Sequence, residues 1–196
     1  MGTAKKPAVR RIYGVSRTPH RGLAVAGILL GTLLLPALTG CQQTETRPVL
    51  PTVTEPPLNV VESSQKYGPV IDDIRRALED EFPDISWRAG DAYSIGERTD
   101  GQCSLRLPSF RSNGDVVGAS DEFQRVMDTI NPVLEPNGFS RVSVLDEGSK
   151  GWWSVTSGNA QGARVRIFGR TSVDLTLSVP VEAGPCSDEE LAVLDP

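Results

Sequence analysis

The sequence predicts an α+β domain in two layers: a mainly antiparallel sheet with two amphipathic helices on one face. The sheet is expected to combine a four-strand C-terminal meander with two earlier strands. Two observations carry this. Apolar residues recur at three- and four-residue spacing in the stretches 67–82 and 120–137, the period of a helix with one buried stripe. Beyond residue 141 the period drops to two, in four sets separated by turn residues, which marks strands buried on one face.

Ahead of that domain, residues 1–40 read as a lipoprotein signal peptide and 41–64 as a disordered Pro/Thr-rich tether, leaving 65–196 as the folded unit. Six basic residues (Lys5, Lys6, Arg10, Arg11, Arg17, Arg21) precede an apolar run at 23–35. That run has signal-peptide length and falls short of the ~20 residues a membrane-spanning helix needs. Leu38-Thr39-Gly40-Cys41 follows. Small residues beside a scissile bond, with a cysteine directly after them, resemble the lipobox of bacterial lipoproteins, where the thiol is acylated (palmitate) and becomes the new N-terminus. Arg10-Arg11-Ile12-Tyr13 leaves twin-arginine export open, although its flanks match a generic basic segment better. The tether carries Pro48, Pro51, Pro56 and Pro57 among Thr and Glu with no apolar period, a composition that cannot bury enough surface to fold.

Cleavage before Cys41 leaves 14 basic against 25 acidic residues, a net charge of −11. Such a balance argues against nucleic acid, whose phosphates demand a basic face. It also repels anionic head groups, so the membrane is expected to be reached through acyl chains at Cys41. The chain's one histidine, His20, falls in the segment removed, which excludes histidine nucleophile activation, general bases and zinc ligands from the mature domain. Cys103 and Cys186 remain as an even pair in an oxidising compartment, where a disulfide is the default. In the chain-entropy model its closed loop is worth ~4–5 kcal/mol.

Each element then follows in order. The first helix carries Val70, Ile71, Ile74, Leu78 and Phe82 on one stripe, with Pro69 expected in its first turn and Pro83 ending it. Ile85 and Trp87 form a short strand, 88–101 a loop or loose hairpin, Cys103, Leu105 and Leu107 a second strand, and 108–118 another loop. Ser120 is a suitable N-cap for the second helix, whose stripe is Phe123, Val126, Met127, Ile130 and Leu134. Pro132 kinks it or restarts a last turn, and Asn137-Gly138 closes it. In the meander, a two-residue hairpin at Gly148-Ser149 sets Val144 opposite Trp153. A loop around 157–161 sets Val155 opposite Ala163 and Trp153 opposite Val165. A loop at 169–171 sets Ile167 opposite Val173 and Val165 opposite Leu175. Trp153 thus points to the core and Trp152 away from it. On the outer face this register lines up Leu145, Trp152, Arg166 and Asp174 in one row.

This order of elements resembles the LppA-type lipoproteins of mycobacteria and related actinobacteria. The matching residues are Trp87, Cys103, the run 118–123, Asn137-Gly138-Phe139, Ser157-Gly158-Asn159, Asp174-Leu175-Thr176-Leu177 and Gly184-Pro185-Cys186. The resemblance implies a cell-envelope lipoprotein with a paired disulfide and no established catalytic activity.

The functional expectation is a lipid-anchored module on the extracytoplasmic face of the cell membrane. It binds an envelope protein or ligand through Trp152, Arg166 and Asp174, without catalytic residues, cofactor or metal. The bland counterpart is that Trp152 packs against a loop and that Arg166–Asp174 is a structural cross-strand pair. The alternative is a carboxylate-dependent, glycan-cleaving enzyme using acids such as Asp91, Glu97 and Asp100, since such chemistry needs no histidine. A lipid carrier would need a large apolar cavity, for which this domain is too small and too polar. Glu79-Asp80-Glu81 reads as a solvated face, having too few oxygen ligands at loop positions for calcium. Replacing Cys41 by serine is expected to block lipoprotein processing and abolish acyl-dependent membrane association. Detergent partitioning with mass spectrometry of the mature N-terminus checks this, and an unmodified Cys41 in the wild type would contradict it.

Overall fold

A computed structural model describes residues 49–121, 123–148 and 151–194. The signal segment, Cys41 and the first part of the expected tether lie outside the described residues. Among the described residues no helix is long and apolar enough to cross a membrane.

The architecture is the two-layer α+β arrangement. Helix α1 (Val60–Glu81) and helix α3 (Gln124–Leu134) pack against each other over one face of an eight-stranded antiparallel sheet. The strands are β1 (Trp87–Ala89), β2 (Ser94–Glu97), β3 (Cys103–Arg106), β4 (Phe110–Ser112), β5 (Asp146–Gly148), β6 (Trp152–Gly158), β7 (Arg164–Gly169) and β8 (Val173–Val181). Their order is β1-β4-β8-β7-β6-β5, and β3, carrying β2, shares the β4 side of β8. Strand β8 is therefore the spine. Val173, Leu175, Leu177 and Val179 send their side chains inward and are buried, meeting Ile74, Leu78, Phe123 and Ile130 of the helical layer in one core.

Helix α1 starts at Val60, seven residues before the predicted start and inside the segment expected to be tether. A capping box sets that start: Asn59 Oδ1 accepts the Glu62 N–H at 2.9 Å, and the Glu62 carboxylate accepts the Asn59 N–H at 3.3 Å. Pro69 consequently sits inside the helix rather than in its first turn. The chain just ahead of α1 is held as well. Thr54 and Glu55 N–H groups donate to the Ala160 carbonyl, and Leu58 bridges to Val181 beside β8.

Two predicted loops contain further elements. Residues 88–101 include β2, hairpinned onto β3, and 108–118 include β4 and the single helical turn α2 (Val116–Ala119). Three-residue strands carry too little alternation to be read from sequence. Ser120 does not cap α3 directly. Its buried hydroxyl accepts the Phe123 N–H at 3.1 Å, shaping a turn in which Asp121 and Phe123 take positive φ, and α3 begins at Gln124. Helix α3 runs through Pro132 and closes in a short 3-10 turn at Gly138, in the left-handed region as expected.

All three meander registers differ from the predicted ones. Between β6 and β7, Val155 lies opposite Ile167, not Ala163, and Ser157 opposite Val165. The cause is Asn159. Its Oδ1 accepts the N–H groups of both Gln161 and Ala163 at 3.0 Å, which places the turn at 159–162 and lets β6 run on to Gly158. Its Nδ2 donates to the Tyr67 hydroxyl (2.9 Å), which donates to Gln161 Oε1 (2.5 Å), a group also bonded by Lys66 Nζ at 2.6 Å. Tyr67 is fully buried. Burial raises its pKa above the ordinary phenol value, and the Asn159 hydrogen bond partly opposes this.

Between β7 and β8, Ile167 faces Leu175 and the turn spans 170–172. Gly169 permits it, because a Cβ there would stand 2.2 Å from the Ser172 carbonyl oxygen. Both slips are even, so every side chain keeps its predicted face.

The slip between β5 and β6 is odd. Asp146 pairs with Ser154 and Glu147 with Trp153. Val142 leaves the ladder because the buried Asn131 amide takes both its N–H (2.7 Å) and its carbonyl (2.9 Å). Val144 is therefore not opposite Trp153, and Leu145, expected outside, packs against the core. Trp153 is half-buried against the core while Trp152 is 47 % exposed, the order of faces expected. The Cys103–Cys186 disulfide joins β3 to the segment after β8, also as expected.

Asn159→Ala is expected to cost about 2–4 kcal/mol in urea unfolding, since it strands buried backbone and phenol partners. Asn137→Ala, an exposed amide bonded to the Val133 carbonyl, is expected to cost under about 1 kcal/mol. Equal losses would show that the 159–162 turn does not depend on the buried amide.

Candidate functional site: the outer face of the sheet

Side chains that alternate away from the core line a concavity of about 870 Å³ on the outer sheet face. It extends from β1, on one edge of the strand order, to Asp146 and Trp152 of β5 and β6 on the other. The register explains its content. One row crosses six strands: Asp146, Ser154, Phe168, Asp174, Arg111 and Arg88. A second row is Thr156, Arg166 and Thr176. A third sets Arg164 and Arg106 on either side of Ser178. Strands lie about 4.8 Å apart and successive rows roughly 7 Å apart, so all three form one continuous polar surface.

Trp152, Arg166 and Asp174 all line this concavity, but not in the single row expected. With the even slips at both hairpins, Arg166 sits between two threonines, and Asp174 is one row further along. The expected Arg166–Asp174 pair is replaced by Arg111–Asp174. Arg111 Nε and Nη2 donate to the two carboxylate oxygens at 2.5 and 2.8 Å, a fork-on-fork contact. That carboxylate, by hydrogen bond and by charge, raises the Arg111 guanidinium above its ordinary pKa. Arg166 instead stands over the Phe168 ring, 4.6 Å from its centroid, a cation–π contact that holds the guanidinium in place.

Sequence reasoning missed Arg88, Arg106, Arg111 and Phe168 as members of this face. Arg111 lies on a strand that reads as loop, and Arg88 begins a stretch read the same way. Arg106 was recognisable as outward-facing from its alternation with Cys103 and Leu105, but nothing in the sequence tied its strand to the outer side of β8.

The three acids considered for catalysis do not all line the concavity. Asp91 lines the concavity, its N–H donating to Ser109 Oγ at 2.7 Å. Glu97 is exposed on β2. Asp100 lies in the tip of the β2–β3 hairpin, paired with Arg98 at 3.0 Å and accepting the Gln102 N–H. Of the three, Asp91 alone lines the concavity, while Glu97 and Asp100 share the β2–β3 hairpin.

Among the described residues, eleven arginines divide unevenly. Six have a carboxylate partner within 4.0 Å: Arg75, Arg76, Arg98, Arg111, Arg125 and Arg141. Four of the other five, Arg88, Arg106, Arg164 and Arg166, line the concavity. Among the described residues, guanidiniums without a carboxylate partner are thus concentrated on this one face.

No protein-family model matches the chain, and no curated protein matches it. A crystal structure of a DUF4853 family protein from Actinomyces odontolyticus is similar, with a TM-score of 0.52 over 71% of this chain and 77% of that one, at 11% identity. At that identity the likeness is one of fold.

The charge distribution has a direct readout in Trp152. At low ionic strength its emission, taken as wild type minus Trp152→Phe, is expected to be quenched more strongly by iodide than by caesium, because the guanidiniums lining the same concavity concentrate anions there. The Arg164→Ala, Arg166→Ala double variant is expected to remove that preference. Stronger quenching by caesium in the wild type would contradict the electrostatics described.

Proposed function

We propose that the chain is a lipoprotein anchored through Cys41 to the cell membrane, whose domain works on the extracytoplasmic face as a non-enzymatic binding module. The anchor reading rests on Leu38-Thr39-Gly40-Cys41 behind a short apolar run and on the resemblance to the LppA-type lipoproteins. The binding reading is carried by one observation: four guanidiniums with no carboxylate within 4.0 Å among the described residues line one concavity together with a half-exposed tryptophan. Concave surfaces with a few convergent polar groups around an aromatic are where small ligands bind.

A membrane anchor and a binding face together describe a protein that holds a soluble or wall-borne component close to the membrane. Capture from intact envelope tests this, comparing the lipidated protein with its Trp152→Ala, Arg166→Ala variant. The expected outcome is envelope material recovered with the wild type and reduced at least tenfold with the variant, both proteins being equally folded and membrane-bound. Identical recoveries would contradict the reading.

A further inference from the structure

Resting on that reading of the outer face, we propose that its ligand is an acidic saccharide: a short oligosaccharide whose hydroxylated rings carry carboxylate groups. Three features of the face point to this chemistry.

The first is the surplus of guanidinium. Arg88, Arg106, Arg164 and Arg166 have no carboxylate within 4.0 Å among the described residues, whereas most arginines elsewhere do. A guanidinium presents planar, parallel N–H donors that match the two oxygens of a carboxylate. Arg164 and Arg166 lie two residues apart on one face of β7, and Arg106 reaches the same face from β3 across Ser178. Side chains of like charge at this spacing repel one another, and a bound anion relieves that repulsion.

The second feature is what accompanies the arginines. Asp91 and Asp146 line the same concavity and are paired with no arginine or lysine among the described residues. Carboxylates beside an anion site oppose a ligand that is anionic throughout, such as a polyphosphate. They suit a ligand with hydroxyl donors beside its charges. Thr156, Thr176 and Ser178 add hydroxyls that can both give and accept hydrogen bonds. Acceptors, donors and forks on one surface match the alternation of hydroxyl and carboxylate around a sugar-acid ring.

The third is Trp152. It is 47 % exposed and lines the concavity, and an indole is a flat apolar surface on which the C–H groups of a pyranose stack. A bare inorganic anion has no use for it. The volume of about 870 Å³ falls within the range of sites that enclose small organic ligands and leaves room for more than one ring.

Calorimetric titration of the lipidated mature protein in neutral detergent decides the matter, with trigalacturonate, maltotriose and inorganic phosphate as probes. Trigalacturonate is expected to bind saturably and to weaken as salt rises. Both other probes are expected to bind at least tenfold more weakly. Arg164→Ala with Arg166→Ala, and separately Trp152→Ala, are each expected to weaken trigalacturonate tenfold or more. Arg170→Ala, at an arginine outside the concavity with no carboxylate within 4.0 Å among the described residues, is expected to leave it unchanged. Phosphate binding as tightly as trigalacturonate would overturn the saccharide, and maltotriose binding as tightly would overturn the need for charge. Failure of all three probes while envelope capture still depends on Trp152 and Arg166 would overturn the ligand class alone. Failure of both experiments would remove the binding reading with it.

Discussion

Much of this structure depends on a buried amide. Asn159 takes the N–H groups of Gln161 and Ala163 with its oxygen and gives its own N–H to Tyr67 of α1. The first contacts fix where β6 turns into β7, and the last ties that turn to the helical layer. A turn two positions earlier would satisfy the same apolar alternation, so burial alone does not choose between the registers. Unpaired backbone groups inside the protein are costly, and it is their satisfaction that makes the choice. Asn131 works in the same way on the other side of β6, drawing Val142 out of the ladder. Two asparagines thus specify an arrangement that the apolar residues leave open.

The outer surface follows from that choice. Shifting a strand by an even number of residues leaves the core side chains in the core, yet it changes every neighbour on both faces. Ser154, Phe168 and Asp174 share a row because the turns fall at 159–162 and 170–172. Asp174 then reaches Arg111 and not Arg166, which frees Arg166 to stand over Phe168. Had Arg166 paired with Asp174, as the predicted registers require, the open guanidinium would be that of Arg111 and Arg166 would not stand over Phe168.

This also marks the limit of what the sequence discloses. Face assignment is a period-two property, and it is legible wherever a strand is long: Val173 to Val179, Val165 with Ile167, and Trp153 against Trp152. Trp152, Arg166 and Asp174 could be placed on one surface for that reason. Register depends on which side chain caps which turn, a three-dimensional property of Asn159, Asn131 and Gly169 that no period encodes. The short strand β4 was invisible because three residues carry no pattern, and Arg111 was hidden with it. The early start of α1 is a different case. Asn59 and Glu62 stand at capping-box spacing, and the signal was masked by the proline-rich stretch that precedes it.

The observed register, and not the one the apolar alternation predicts, orders the outer face. Cross-strand nuclear Overhauser contacts in the isotope-labelled protein measure it directly. Contacts linking Ser154 to Phe168 and Phe168 to Asp174 across β6, β7 and β8 are expected. Contacts linking Trp152 to Arg166 and Arg166 to Asp174 would contradict it.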